Sequence, residues 1–165
     1  MDIADLVLED HHRQRKSFAL LDETDPANHA RLAAIWGDLA DFLEAHAAAE
    51  EAVLYPRVLE LSDPDASETK DAIGDHNDIR DAITRATSEN VGSDGWWKAV
   101  GAARAANTEH MGEEEDQVLP HLRRRAAIAV RTDMGLAFEV AKTSARRAQL
   151  DTSDKAPDDY VVEHT

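Results

Sequence analysis

HAAAEEAVLYP, residues 46–56, is the stretch that decides the fold, because the chain repeats its pattern as HMGEEEDQVLP over residues 110–120. Both copies contain a His, two consecutive Glu that begin four residues later, an apolar pair and a Pro. A His and a Glu four residues apart lie on the same face of a helix, one turn apart, so both can reach one metal ion. The repeated motif therefore predicts two helices that each present a metal-binding face.

A second motif is interleaved with the first. DHHRQR at residues 10–15 returns as DHNDIR at residues 75–80, so Asp-His-x-x-x-Arg recurs at nearly the same offset as the His/Glu motif. The chain is therefore interpreted as two copies of one unit, a helix with one His followed by a helix with a His/Glu pair. Two such hairpins predict an all-α protein, an up-down-up-down four-helix bundle.

Apolar spacing and turn residues place the elements along the chain. We expect helices over residues 2–21, 27–61 and 66–90 and a fourth from about Trp96, with a break in the second at Pro56. The bundle occupies residues 1–125. Residues 126–149 predict an accessory C-terminal helix, and the acidic segment 150–165 predicts a flexible, disordered tail.

Composition excludes several classes of function. A formal net charge of −16 argues against nucleic acid or an anionic membrane as a partner, since both require a cationic surface. The chain has no Cys, so thiolate metal sites and Cys nucleophiles are absent. Neither an export signal nor a membrane-spanning segment is recognisable, so we expect a cytoplasmic protein, a monomer or a small homo-oligomer.

The inward faces of the four helices carry the candidate metal ligands. Buried unpaired carboxylates cost several kcal/mol each, so a cation must compensate them. Imidazole and carboxylate without thiolate suit iron or manganese, and iron is preferred. A metal-free interaction bundle is the alternative. The six candidate ligands are His11, His46, Glu50, His76, His110 and Glu114.

Residues next to the motifs have weaker assignments. Glu51 and Glu115 lie about 140° around the helix from their His, so we expect them to be exposed or to contact the ligands from outside. A distortion caused by Pro could instead turn either inward. Arg15 and Arg80 are expected to pair with ligand carboxylates from outside, and His121 to pack or to join the site.

Taken together, Asp10-His11, His46 to Pro56, Asp75-His76 and His110 to Pro120 resemble the hemerythrin-like proteins of the HHE cation-binding type, over about residues 1–125. The resemblance implies two non-haem iron ions, bridged by oxo or hydroxo groups and by carboxylates, with an exchangeable position for dioxygen or another small ligand.

This chain departs from the oxygen-carrying members of that family. They have two His four residues apart on the third helix, whereas Ala72 and Arg80 flank His76 at that spacing. They also have a His followed five residues later by an Asp, where this chain has Glu115 after His110. The more anionic ligand set favours the ferric state and disfavours simple oxygen carriage.

Hydrogen peroxide is therefore the favoured substrate of this chain, because related bacterial proteins resemble catalases. In that interpretation the four His bind the irons, Glu50 and Glu114 bridge or chelate them, and no other catalytic residue is required. The alternative is a protein that senses, stores or binds oxygen, nitric oxide or iron without turnover.

Overall fold

The structure is a computed structural model, and it describes residues 1–61, 67–147 and 154–164. The described residues form helices and connecting turns. Their order is α1 (Ile3–Asp22), α2 (His29–Ala49), a first π-helical segment (Glu50–Leu54), α3 (Tyr55–Leu61), α4 (Ser67–Ser88), α5 (Asp94–Glu113), a second π-helical segment (Glu114–Val118), α6 (Leu119–Arg125), α7 (Ile128–Arg147) and α8 (Pro157–Glu163).

Short polar side chains begin the bundle helices. Asp2 caps α1 by accepting a hydrogen bond from the Ala4 amide, and Ser93 caps α5 in the same way for Trp96. Such caps satisfy amide groups that have no partner within the helix. The prediction of an all-helical protein is confirmed for the described residues, and the first four predicted helices agree with the observed starts to within two residues.

Two apolar clusters lie on either side of the candidate ligands. The first includes Ile3, Val7, Leu54, Tyr55, Ile73, Leu119 and Phe138. The second includes Phe18, Leu21, Leu32, Trp36, Ile79, Ile83, Trp96 and Val100. Helices α1 and α4 run from the first cluster to the second. Helix α2 runs from the second to the first, and α5 begins in the second and reaches the first through the second π-helical segment that follows it. Each of these helices carries its candidate His between the two clusters.

The C-terminal segments pack on the bundle. Helix α7, expected over 126–149, contacts α1, α2 and the first π-helical segment and buries Phe138 completely. The prediction of a disordered tail over 150–165 is wrong for residues 154–164, because α8 packs on α4 and buries Tyr160 in the first cluster. The other residues of that prediction lie outside the described ranges. Within those ranges, no helix has both the length and the apolar character required to cross a membrane.

Candidate metal centre

All six candidate ligands lie together between the two apolar clusters, and each is at least 98% buried. In the first half of the layer, His46 Nε2 lies 2.9 Å from Glu50 Oε1 and His11 Nε2 lies 3.2 Å from Glu114 Oε2. These four residues each offer one ligand atom within 4.8 Å of the others. That spacing allows a single cation to contact all four side chains.

The second half of the layer shares Glu50 with the first. Its Oε2 lies 3.3 Å from His76 Nε2 and 3.6 Å from His110 Nε2, and the three residues form a second group of potential ligands. The Nε2 atoms of His76 and His110 are only 3.2 Å apart. Glu50 therefore belongs to both groups and has the position expected of a bridging carboxylate.

Each candidate His has a carboxylate on the side of its ring that faces away from the centre. His46 Nδ1 pairs with Asp10 Oδ2 at 3.0 Å, and His110 Nδ1 lies 3.8 Å from Asp75 Oδ2. Each Asp comes directly before the His of its own helix, so the repeated Asp-His motif supplies one candidate ligand and orients another. This role of the Asp was missed by the sequence analysis, although the motif itself was the available signal.

The other two His are oriented by the second Glu of the repeated motif. His11 Nδ1 lies 2.8 Å from Glu115 Oε1, and His76 Nδ1 lies 2.8 Å from Glu51 Oε1. A carboxylate at Nδ1 favours the tautomer in which Nδ1 carries the hydrogen and Nε2 has the free lone pair. The expectation that Glu51 and Glu115 contact the ligands from outside agrees with this geometry.

Four cationic side chains pair with the carboxylates that orient the His rings. Arg15 lies 2.8 Å from Glu115, and Arg80 lies 2.7 Å from Glu51. Both Arg were expected to pair with ligand carboxylates, but they pair with the adjacent Glu of the motif. The C-terminal segments add two contacts that the sequence analysis missed: Lys142 of α7 lies 2.6 Å from Asp10, and Lys155 lies 2.5 Å from Glu51.

The charges around Glu51 decide its ionisation. Burial raises the pKa of Glu51, but the hydrogen bond to His76 and the charges of Arg80 and Lys155 outweigh it and lower the pKa to about 2. Asp75 has the opposite environment. Burial and the nearby charges of Glu113 and Glu109 raise the pKa of Asp75 to about 6, in spite of His110. The carboxylate that contacts His76 therefore stays ionised down to about pH 2, whereas the one near His110 takes up a proton near pH 6.

The first π-helical segment explains how the consecutive Glu50 and Glu51 both become buried. Pro56 has no amide hydrogen and its ring would collide with the preceding turn, so an ordinary α-helical ladder cannot continue through it. The chain forms wider turns instead, and the Tyr55 amide bonds to the Glu50 carbonyl. Both Glu50 and Glu51 are buried as a result. The break expected at Pro56 is therefore observed upstream, beginning at Glu50.

Tyr55 is a further residue of the layer that the sequence analysis missed. Its buried hydroxyl donates a hydrogen bond of 2.6 Å to Glu114 Oε1. The corresponding position of the second repeat is Leu119, so the contact has no counterpart and periodicity alone did not reveal it. His121 is half-buried outside both groups of potential ligands, and its role in the site stays a prediction.

The unpaired atoms of the layer fit a bound cation. His11 Nε2, His46 Nε2 and both oxygens of Glu50 make no hydrogen bond of acceptable geometry although they are completely buried. Buried polar atoms without partners cost about 1–3 kcal/mol each, and a cation at this position would satisfy them together. In the absence of a cation, protons must compensate the buried carboxylates. Burial lowers the pKa of His46, but the contacts with Glu50 and Asp10 outweigh this effect and raise the pKa to about 10.

Comparison with known families agrees with this geometry. The family model described as the hemerythrin HHE cation binding domain matches residues 2–126, which contain all six candidate ligands and end before α7. No curated protein and no solved structure matches significantly. The chain therefore belongs to the hemerythrin HHE cation-binding family.

Proposed function

We propose that this protein holds two non-haem iron ions in an up-down-up-down four-helix bundle and binds a small oxygen species, with decomposition of hydrogen peroxide as its activity. The convergence of four imidazoles and two carboxylates in one buried layer is the observation that carries the proposal. The alternating direction of α1, α2, α4 and α5 between the two apolar clusters supports the bundle topology.

The ligand assignment follows from the two groups. His11, His46 and Glu114 would hold one iron, His76 and His110 the other, with Glu50 shared. Imidazole and carboxylate donors suit iron and also admit manganese. An iron pair supplies a store of two electrons for peroxide chemistry.

The chain's own residues define what surrounds the reaction. Asp10, Glu51 and Glu115 hold imidazole rings in a fixed orientation, and Tyr55 holds Glu114 by its hydrogen bond. The apolar clusters on both sides exclude bulk water from the layer, which strengthens the electrostatic contacts within it.

Sensing or storage without turnover is the second candidate. The contacts of Lys142 with Asp10 and of Lys155 with Glu51 favour it, because they connect the C-terminal segments to the carboxylates that orient His46 and His76. A change in the charge of the centre would be transmitted to both Lys. Such coupling could release or retain α7 and α8 and thereby provide an output.

Elemental analysis of protein purified without chelator, followed by oxygen evolution on addition of peroxide, tests the proposal. About two irons per chain, with evolution lost in His110→Ala, would support peroxide decomposition. Two irons without evolution would leave binding, sensing or storage. No metal in protein expressed with ample iron would contradict the di-iron proposal. His12→Ala is the matched control, since His12 is exposed and lies outside both ligand groups.

A further inference from the structure

A cavity of about 60 Å³ lies between α4, α5 and the second π-helical segment, and its lining includes two of the candidate ligands. Its buried wall includes His110 and Glu114. Its remaining lining is Asp71, Ala72, Glu113, Gln117 and Val118, of which Asp71, Glu113 and Gln117 are exposed. The cavity lining therefore combines exposed polar residues with two buried candidate ligands.

The corresponding place in the first repeat is closed. Ala72 lies four residues before His76, and the residue four before His11 is Val7, which is completely buried in the first apolar cluster. The position equivalent to Asp71 is Leu6, and the position equivalent to Gln117 is Val53; both pack in the same cluster. Apolar side chains in the first repeat thus occupy the space that the second repeat leaves open.

Helix α7 adds a second barrier on the closed side. It packs against the first π-helical segment, and its Phe138 ring contacts the His46 ring edge-on at a centroid distance of 5.8 Å. The equivalent imidazole in the second repeat is His110, which lines the open cavity. The approximate twofold symmetry of the ligand layer is therefore broken in its surroundings.

Two larger cavities stop short of the ligands. One is lined by Glu51, Lys155 and Tyr160, and the other by Asp10, Phe42 and Lys142, and neither lining includes any of the six candidate ligands. The ion pairs Lys155–Glu51 and Lys142–Asp10 form part of their walls. Access through either would require displacing an ion pair, whereas the lining of the smaller cavity already includes two candidate ligands.

Size and charge limit what can use the smaller cavity. One water requires about 10–15 Å³ of cavity space in the measure that gives 60 Å³ here, so the cavity has room for a few waters or a ligand of a few heavy atoms. Asp71 and Glu113 stand at the mouth of a chain whose net charge is −16. This field repels anions and leaves uncharged molecules unaffected.

We infer that small uncharged ligands reach the centre through this cavity, that the short side chain of Ala72 keeps the path open, and that the carboxylates of Asp71 and Glu113 discriminate against anions. The inference rests on the proposed function for the identity of the centre. The existence of the path itself can be measured without metal.

The absence of Cys from the chain permits a direct accessibility test on metal-free protein. Ala72→Cys and the matched control Val7→Cys are treated with methyl methanethiosulfonate, a small uncharged thiol reagent. A buried thiol that the reagent cannot reach reacts only after the protein opens locally. We therefore expect Ala72→Cys to be labelled at least roughly 10-fold faster than Val7→Cys. Equal rates in the folded variants, with both thiols reactive in urea, would overturn the inference.

The second measurement uses iron-loaded protein and ligand binding in place of turnover. Ala72→Val copies the residue of the first repeat, and we expect it to slow association of nitric oxide at unchanged iron content. The double variant Asp71→Asn/Glu113→Gln should increase the association rate of azide, an anion, and leave that of nitric oxide unchanged. An unaltered rate of nitric oxide association in Ala72→Val would contradict the proposed path. An unaltered rate of azide association in the double variant would contradict the discrimination against anions. Fast thiol labelling in a chain that binds no iron would overturn only the proposed function.

Discussion

The Tyr55 hydroxyl donates a hydrogen bond of 2.6 Å to Glu114 Oε1 and so joins the first repeat to a candidate ligand of the second. Burial raises the pKa of Tyr55 well above its usual range, and the charges of Glu114 and Glu50 raise it further. The phenol therefore remains protonated and remains a donor. Its interaction restrains one oxygen of Glu114 and leaves the other facing His11.

Replacing Tyr55 with Phe should destabilise the metal-free protein by about 1–3 kcal/mol, because a buried carboxylate oxygen loses its donor. Urea unfolding measures this change. Combination with Glu114→Ala provides a double-mutant cycle, and the effect of Tyr55→Phe should largely disappear in that background. An equal loss with and without Glu114 would show that the hydroxyl contributes through a partner other than Glu114.

Removal of Glu50 should affect both metal positions, since it belongs to both groups of potential ligands. We expect Glu50→Ala to retain close to no iron, whereas His46→Ala and His76→Ala each weaken one position. Elemental analysis after dialysis against a mild chelator distinguishes these cases. Glu60→Ala, at an exposed position of α3, is the control. Two irons retained in Glu50→Ala would contradict the shared role.

Lys142 and His46 both pair with the buried Asp10 carboxylate, so Lys142→Met should leave His46 as its remaining partner. Breaking a buried ion pair from one side typically costs about 3–5 kcal/mol, and the small residual exposure here points to about 3 kcal/mol. Lys70→Met is the control, because the pair of Lys70 with Asp158 is exposed and should contribute less than about 1 kcal/mol. Equal losses in urea unfolding would argue against the role of Lys142.

Gly135 of α7 approaches the N-terminus so closely that a Cβ there would overlap the Met1 carbonyl oxygen. We expect Gly135→Ala to destabilise the protein by about 1–3 kcal/mol through overpacking. Gly101 has no heavy atom within 4 Å of the corresponding Cβ position, so Gly101→Ala in α5 should instead stabilise by about 1 kcal/mol. Thermal unfolding of the two variants should shift in opposite directions.

The ligand layer was predictable because both of its motifs are local. His46 and Glu50 are one helical turn apart, and their repetition at His110 and Glu114 identifies the face that turns inward. The partners of the rings were not predictable in this way. His46 and Asp10 are 36 residues apart, so their contact depends on how α1 docks against α2, which spacing within one helix does not determine.

The prediction of a disordered tail was wrong because it relied on the average composition of the segment. The segment is acidic and polar, yet Tyr160 and Val161 are both buried. Tyr160 packs in the first apolar cluster, and its hydroxyl donates to the Glu51 carbonyl. Two apolar residues within one helical turn are sufficient to dock a short helix on a surface already formed, but they barely alter the mean hydropathy of the segment. Lys142 was missed for a related reason, because a Lys in an amphipathic helix is expected at the surface and this one is buried.

The pairing of rings and carboxylates has a consequence for the smallest unit that can carry the centre. His46 and His110 find their carboxylates within their own repeat, but His11 depends on Glu115 and His76 depends on Glu51. Half of the chain, folded alone as a hairpin, would orient only one of its two imidazoles. Two identical hairpins facing each other would complete both sets.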